Sequence, residues 1–211
     1  MEVAVFDFDG TVCPGDSIVP YIRFCIARGI APRSQWLRAA GGYLRQRLHP
    51  EEVSASKARS LSFIRGRPKA EMDELADAFI RAELQPRFYA GAIGRMRALR
   101  DQGLRVVVLS ASPSVYMDRI AGFLPADAVL STPCAVDAEG RYTGEVGANC
   151  RDEEKLVRLR AWAGAEDPLI MWAYGDSRHD LPVLREALHP VWVDPDAKML
   201  RLLDAEKIHW R

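Results

Sequence analysis

The chain has 211 residues, 48% of them hydrophobic and 27% charged, with 29 basic and 29 acidic side chains. Such a length suits one globular domain, or a core domain carrying a smaller insert, and a net charge of zero supplies no overall field that would draw the chain to nucleic acid. No stretch is apolar for the roughly 18 residues of a membrane-crossing helix, the strand-like run directly after Met1 leaves no room for a secretory leader, and four scattered cysteines (Cys13, Cys25, Cys134, Cys150) without a C-x-x-C pair read as free thiols of a cytoplasmic protein.

The first predicted strand is Val3–Phe6, an unbroken apolar run of the kind buried on both faces of a parallel sheet. It ends in Asp7-Phe8-Asp9-Gly10-Thr11. From Cys13 to Leu84 no strand pattern occurs. Helical segments are predicted over Ser17–Arg28, Arg33–Arg47, Pro50–Arg65 and Lys69–Leu84, with breaks at Gly29, His49-Pro50 and Gly66-Arg67-Pro68. A helix over Phe88–Gln102, stopped by Gly103, precedes a second strand at Leu104–Leu109, which ends in Ser110-Ala111-Ser112-Pro113. After a helix at Ser114–Phe123, the stretch Thr132–Gly147 reads as a hairpin around Asp137-Ala138-Glu139-Gly140. A helix at Glu153–Ala163 leads to a third strand, Leu169–Tyr174, ending in Gly175-Asp176-Ser177, and a fourth, Pro190–Val193, ends in Asp194. Alternating strands and helices imply an α/β fold, a Rossmann-like open parallel sheet, with a helical cap domain inserted after the first strand. The expected division is a core of residues 1–12 and 85–211 and a cap of residues 13–84.

In such sheets ligands bind beyond the carboxyl ends of the strands, where this chain's most suggestive polar residues fall. Asp7 and Asp9 lie two apart and would share one face if the strand continued, with Gly10 letting the chain turn away. Paired carboxylates repel unless a cation or a shared proton relieves them, and Mg²⁺ suits an all-oxygen site. One carboxylate then has the chemistry of a nucleophile and the other that of a general acid and base. Taken alone, the pentapeptide is equally a strand end with two solvated acids. Ser110 and the neighbouring backbone N–H groups form a phosphate cradle at a strand-to-helix turn, although Ser112 or Ser114 in that turn also has the makings of a helix cap. Lys155 stands at a helix start, the end lysines avoid, and has the charge to neutralise phosphate oxygens; paired with Asp152 or Glu153 it is an ordinary surface lysine. Asp176 is predicted to reach the same sheet edge as Asp7, while Asp180, just before Pro182, is also placed to cap a helix.

The ordered set D-F-D-G-T, S-A-S, lysine and G-D-S-x-x-D resembles the four motifs of the haloacid dehalogenase superfamily. The helical insert, L-S-A-S-P, Y-T-G-E-V and P-V-W-V-D-P-D resemble its phosphoserine phosphatase-like branch with a helical cap. The resemblance implies a Mg²⁺-dependent phosphatase acting through an aspartyl-phosphate. Asp7 would be the nucleophile and a metal ligand. Asp9 would be the general acid/base and would also bind the metal through its carbonyl. Asp176 would complete the metal ligands. Ser110, Ala111, Gly10 and Lys155 would bind the phosphate, with Thr11, Ser177 and Asp180 supporting. Dehalogenases of the superfamily lack the second aspartate, so Asp9 favours phosphoryl chemistry. Phosphoserine phosphatases have a glutamate near position 16, S-G-G after the second strand and an asparagine at position 179. This chain has Asp16, Ser110-Ala111-Ser112 and His179 there, which argues against phosphoserine as the substrate.

Between Cys13 and Ala70 eleven basic residues stand against three acids. A basic lid gathers anionic substrates, and Asp16 and Arg59 are its candidate substrate contacts; Asp16 is equally a cap of the first insert helix. The segment Trp36–Arg45 mixes aromatics with arginine as interfacial helices do. The expected partner is therefore a small anionic phosphomonoester. A lipid phosphate of the phosphatidylglycerophosphate type at a membrane surface is the alternative, as is phosphoryl transfer to an alcohol. A solvated arginine-rich face packed on the core explains the same charge. Oligomeric state is not legible in the sequence.

Overall fold

Four strong apolar runs and two weaker ones build a single parallel sheet in a computed structural model, which describes residues 1–37, 39–41 and 53–210. Strands β1 (Glu2–Asp7), β2 (Arg105–Pro113), β3 (Ala128–Thr132), β6 (Leu169–Gly175), β7 (His189–Val193) and β8 (Glu206–Ile208) lie in the order β3-β2-β1-β6-β7-β8. The most apolar strand is therefore central. Val3, Ala4, Val5 and Phe6 of β1 are each no more than 2% exposed, as expected of a strand covered on both faces. The two strands that the sequence reading missed are edges. β8 has three residues, two of them charged and exposed, and β3 is half-buried over its first three residues. Neither carries a signal beyond that of a loop. β2 runs on through Ser110 to Pro113, past the predicted end at Leu109, with a register irregularity between Ser110 and Pro113.

Between β1 and β2 the described chain is helical: α1 (Ile18–Ala27), helical residues at 35–37 and 39–41, α2 (Val53–Ser60), and α3 (Lys69–Phe79), which continues through a π turn at Ile80–Leu84. Part of the predicted Arg33–Arg47 helix, including Arg38, Arg45 and Arg47, falls outside the described residues. The chain then forms α4 (Ala90–Asp101), α5 (Ser114–Ile120) and the antiparallel hairpin of β4 (Cys134–Val136) and β5 (Tyr142–Val146), within the predicted Thr132–Gly147 stretch. Helices α6 (Glu153–Ala163) and α7 (Leu181–Glu186) follow. The hairpin is stitched to the insert by backbone bonds from Gly66 N to Tyr142 O (2.7 Å) and from Lys69 N to Gly140 O (2.8 Å).

Strand alternation divides the core in two. Val3 and Val5 face a layer with Leu156 and Leu159 of α6 and Val183 and Leu184 of α7. Ala4 and Phe6 face the other layer, which holds Tyr116 and Met117 of α5 together with Tyr21, Phe24, Leu61, Met72 and Phe79 of the insert. Phe79 is the hub of that layer, with ring centroids 5.2 Å from Tyr21, 5.5 Å from Phe24 and 5.6 Å from Tyr116. Insert and sheet thus share one apolar core. Phe79→Ala is expected to cost about 3–5 kcal/mol in urea unfolding, the range for emptying a buried aromatic site. A loss below about 1 kcal/mol would show that the insert is held by something other than this core.

Candidate active site

Strand parity aims the first aspartate. Asp7 follows Val3 and Val5 on the face covered by α6, and there Lys155, in the first turn of that helix, meets it: Nζ lies 2.5 Å from Asp7 Oδ1 and 2.5 Å from Asp180 Oδ1. Lys155 and Asp180 are almost fully buried. Burial works against the ammonium, but Asp180 and Asp7 together hold its pKa above the ordinary lysine range. Asp180 is fixed from its other side, where Oδ2 accepts from Ser177 N (3.0 Å) and Ser177 Oγ (2.9 Å), closing a capping box around the short turn Arg178–Asp180. Asp180 therefore caps and also grips the lysine. The start of α6 is anchored to the same turn, since His179 Nδ1 lies 2.8 Å from Asp152 Oδ1 and Asp152 N donates to His179 O.

Asp9 does not share that face. β1 stops at Asp7, and the Phe8 carbonyl accepts the N–H groups of Thr11, Val12 and Cys13, which closes a tight turn. Asp9 is swung toward the insert, where Oδ1 accepts from Ser17 N (2.9 Å) and Oδ2 from Ser112 Oγ (2.5 Å). Ser17 Oγ in turn lies 3.0 Å from Ser112 Oγ and 2.9 Å from the Tyr116 hydroxyl. Burial, with a contribution from Asp16, pushes the Asp9 carboxyl up to about 6 in spite of these hydrogen bonds. The two aspartates thus have separate environments, one on an ammonium and one in a hydroxyl network.

Both open into a cavity of about 360 Å³, also lined by Ser110, Ala111, Ser112, Lys155, Asp176, Ser177 and Asp180. Its outer wall is apolar through Ile18, Val19, Ile22, Ala39 and Pro113, with Lys57, Asn149 and Arg151 as polar additions. Gly10 borders an adjacent hollow with Asp9 and Asp176 rather than this cavity. Its φ is +88°, and a Cβ there would lie 1.9 Å from Asp176 Oδ2, so only glycine lets that carboxylate approach. The buried Thr11 hydroxyl finds no hydrogen-bond partner among the described residues. Asp16 lines the cavity and its Oδ1 accepts from Ile18 N at 2.9 Å, while the residue at the N-cap of α1 is Ser17. Arg59 is a correction. It is exposed and absent from the cavity wall, which Lys57 reaches instead. Two residues on a helix are some 200° apart, so the two cations leave α2 on opposite sides.

Asp7, Asp176 and Asp180 place carboxylate oxygens within 4.8 Å of one another, a set of side-chain atoms to which the backbone carbonyl expected of Asp9 does not belong. Both Asp180 oxygens already bind Lys155 or Ser177, so Asp7 and Asp176 are the better-placed donors. Three carboxylates thus gather around one ammonium, that of Lys155. Burial, reinforced by Asp180 and Asp176, holds Asp7 well above the usual carboxylate range in spite of Lys155, and burial with Asp180 pushes Asp176 up to about 7. An excess of buried, all-oxygen negative charge fits a hard divalent cation such as Mg²⁺.

Sequence reasoning missed Ser17 as a partner of Asp9, and missed Lys57 and Asn149. Ser112 sits two residues after Ser110, and that same-side spacing was its only signal; the others depend on how the insert seats.

The profile of haloacid dehalogenase-like hydrolases matches residues 4–185. Protein CicA of Caulobacter vibrioides is 29% identical over 86% of this chain and 81% of its own. A histidinol-phosphatase of Neisseria meningitidis serogroup C is 24% identical over 94% of this chain and 92% of its own. The crystal structure of a Bordetella pertussis protein of unknown function superposes with a TM-score of 0.85 at 23% identity, covering 100% of this chain and 99% of that one, and solved phosphoserine phosphatases share the fold. With that match across most of its length, the chain belongs to the haloacid dehalogenase-like hydrolase family.

Proposed function

We propose that the chain is a Mg²⁺-dependent phosphatase that hydrolyses a small phosphomonoester through a phosphorylated Asp7. The observation that carries this reading is the contrast between two carboxylates in one cavity: Asp7 charge-paired with Lys155, Asp9 biased by its surroundings toward the protonated form. An Asp7 oxygen attacks phosphorus, the ester oxygen departs, and Asp9 supplies its proton. Asp9 then takes a proton from the water that attacks the acyl phosphate, which releases orthophosphate and restores Asp7. Lys155, the Ser110 hydroxyl and the Ala111 N–H are the donors for the phosphoryl oxygens. Mg²⁺, held by Asp7, Asp176 and the Asp9 carbonyl, would supply charge neutralisation at the phosphoryl group.

Residues 13–84 act in this reading as the cap that selects the substrate. The cavity admits a small molecule, with Asp16 suited to a substrate ammonium and Ile18, Val19 and Ile22 to its hydrocarbon. The Neisseria relative is named for an amino-alcohol phosphate, which has those features. Four buried, unpaired thiols accord with a reducing cytoplasm, and no helix among the described residues is long and apolar enough to cross a membrane.

Wild type is expected to release phosphate from an aryl phosphate with Mg²⁺ and not with EDTA. Asp7→Asn should abolish turnover, and Asp9→Asn should lower kcat/KM on an alkyl phosphate, whose leaving group needs a proton, by about 10²–10⁴-fold, the usual worth of general acid catalysis; an active Asp7→Asn would remove the nucleophile assignment. Among L-histidinol phosphate, phosphoserine and phosphatidylglycerophosphate vesicles, the first should give the highest kcat/KM, and preference for the vesicles would replace the small-molecule reading with the lipid one. Metal binding has its own readout. Mg²⁺ should raise the melting temperature of wild type, whereas Gly10→Ala, which displaces Asp176, should melt at the same temperature with and without it. Equal Mg²⁺ stabilisation of both proteins would place the ion elsewhere.

A further inference from the structure

Lys57 belongs to α2 of the insert, yet its Nζ reaches the sheet edge and donates to the Ala111 carbonyl and to Asn149 Oδ1. Among the described residues it is the only cation of the insert on the cavity wall, and none of their carboxylates lies within ion-pair distance of it. An ammonium committed to neutral carbonyl groups acts on those groups. Thr132 Oγ1 lies 2.6 Å from the Ala111 carbonyl and 3.0 Å from Asn149 Oδ1, but its single proton serves one of them at a time. Lys57 has three protons and satisfies both.

The peptide that Lys57 holds joins Ala111 to Ser112. Its carbonyl takes the bonds from Lys57 and Thr132, and its N–H donates to Ser110 Oγ at 3.0 Å. Pinned at both ends, this peptide sets two side chains. Ser110 Oγ, accepting from Ser112 N, keeps its own proton free for the cavity, and Ser112 Oγ is delivered to Asp9 Oδ2. A cation on the carbonyl also polarises the peptide and strengthens its N–H as a donor.

We infer that Lys57 is a positioning residue that couples the seating of the insert to the Ser110–Ser112 loop, and through Ser112 to proton transfer by Asp9. The inference rests on the phosphatase reading of the cavity for its kinetic consequences, though not for its structural one. A lysine that touches substrate would show in KM, and a lysine that only holds the fold would slow every ester alike. A lysine that aligns Asp9 matters most where the leaving group needs a proton.

The test compares the full-length wild type with Lys57→Met in Mg²⁺ on β-glycerophosphate, whose alkoxide must be protonated, and on p-nitrophenyl phosphate, whose nitrophenolate leaves without a proton. The expected result is a fall in kcat/KM, which reports transfer to Asp7 and not the later acyl-phosphate hydrolysis common to both esters, of about ten- to a hundredfold on the first ester, the worth of one charge-assisted hydrogen bond, and of less than about threefold on the second. Thr132→Val, which removes the other donor to Ala111, should show the same asymmetry and decides the matter if Lys57→Met does not fold. Equal losses of kcat/KM on both esters, or no loss on the first, would overturn the proposal. The ¹⁵N–¹H spectrum provides a readout independent of turnover: Lys57→Met should move the amide signals of Ser110, Ala111 and Ser112 and leave those of Val3–Phe6 in place. An unmoved Ser112 signal sinks the coupling even if wild type hydrolyses neither ester, and in that case the phosphatase reading fails separately.

Discussion

The ammonium of Lys155, buried between Asp7 and Asp180, is the interaction on which the rest of the site depends. Removing an ammonium from water costs several kcal/mol, and the cost is offset only where carboxylates with fixed geometry wait for it. Both conditions are met by strand ends. Asp7 is the last residue of the central strand, and Asp180 is locked by Ser177 at the mouth of the neighbouring one. With the lysine seated, the first turn of α6, the turn after β6 and the tip of β1 become one rigid body. Asp176 comes to the same place because Gly10 leaves space for it, and Asp180 because Gly175 does: a Cβ at Gly175 would stand 2.4 Å from Asp180 Cβ. The two glycines on adjacent strand ends are thus steric conditions of the charge cluster.

Asp9 obeys a different logic. It owes its environment to the turn at Phe8–Cys13, which carries it across the sheet edge to the first residues of the insert. Ser17, just before α1, and Ser112, which belongs to β2, each hold one of its oxygens. Proton handling is therefore shared between sheet and insert, whereas charge neutralisation belongs to the sheet and its helices alone.

The parallel sheet was legible because Val3–Phe6, Val106–Leu109 and Leu169–Tyr174 are apolar without interruption, which only a strand covered on both sides requires. The meeting of Asp7, Ser110, Lys155 and Asp176 in one cavity was legible for a related reason, since a polar residue directly after such a run stands at a known edge. What was not legible depends on angle or tertiary seating. Asp7 and Asp9 were placed on one face because two-residue spacing implies it along a continuing strand; the turn at Phe8 breaks that premise. Arg59 and Lys57 are indistinguishable in a basic helix until its phase is fixed by Val53, Ser56 and Ser60 turning inward. The edges β3 and β8 were missed because half-exposed strands lose the apolar signal that identifies central ones.

The shared aromatic layer has a consequence for how this architecture diversifies. Tyr21, Phe24 and Phe79 come from the insert, Phe6 and Tyr116 from the sheet and α5, and neither group forms a complete core by itself. An insert grafted from a relative would arrive with half of an interlocking surface and meet a half shaped for another partner. The lid and the body are thus not interchangeable modules here. New substrate preferences are reached residue by residue along the cavity rim, at positions such as Ile18, Val19 and Ile22, while the aromatic seam behind them stays fixed.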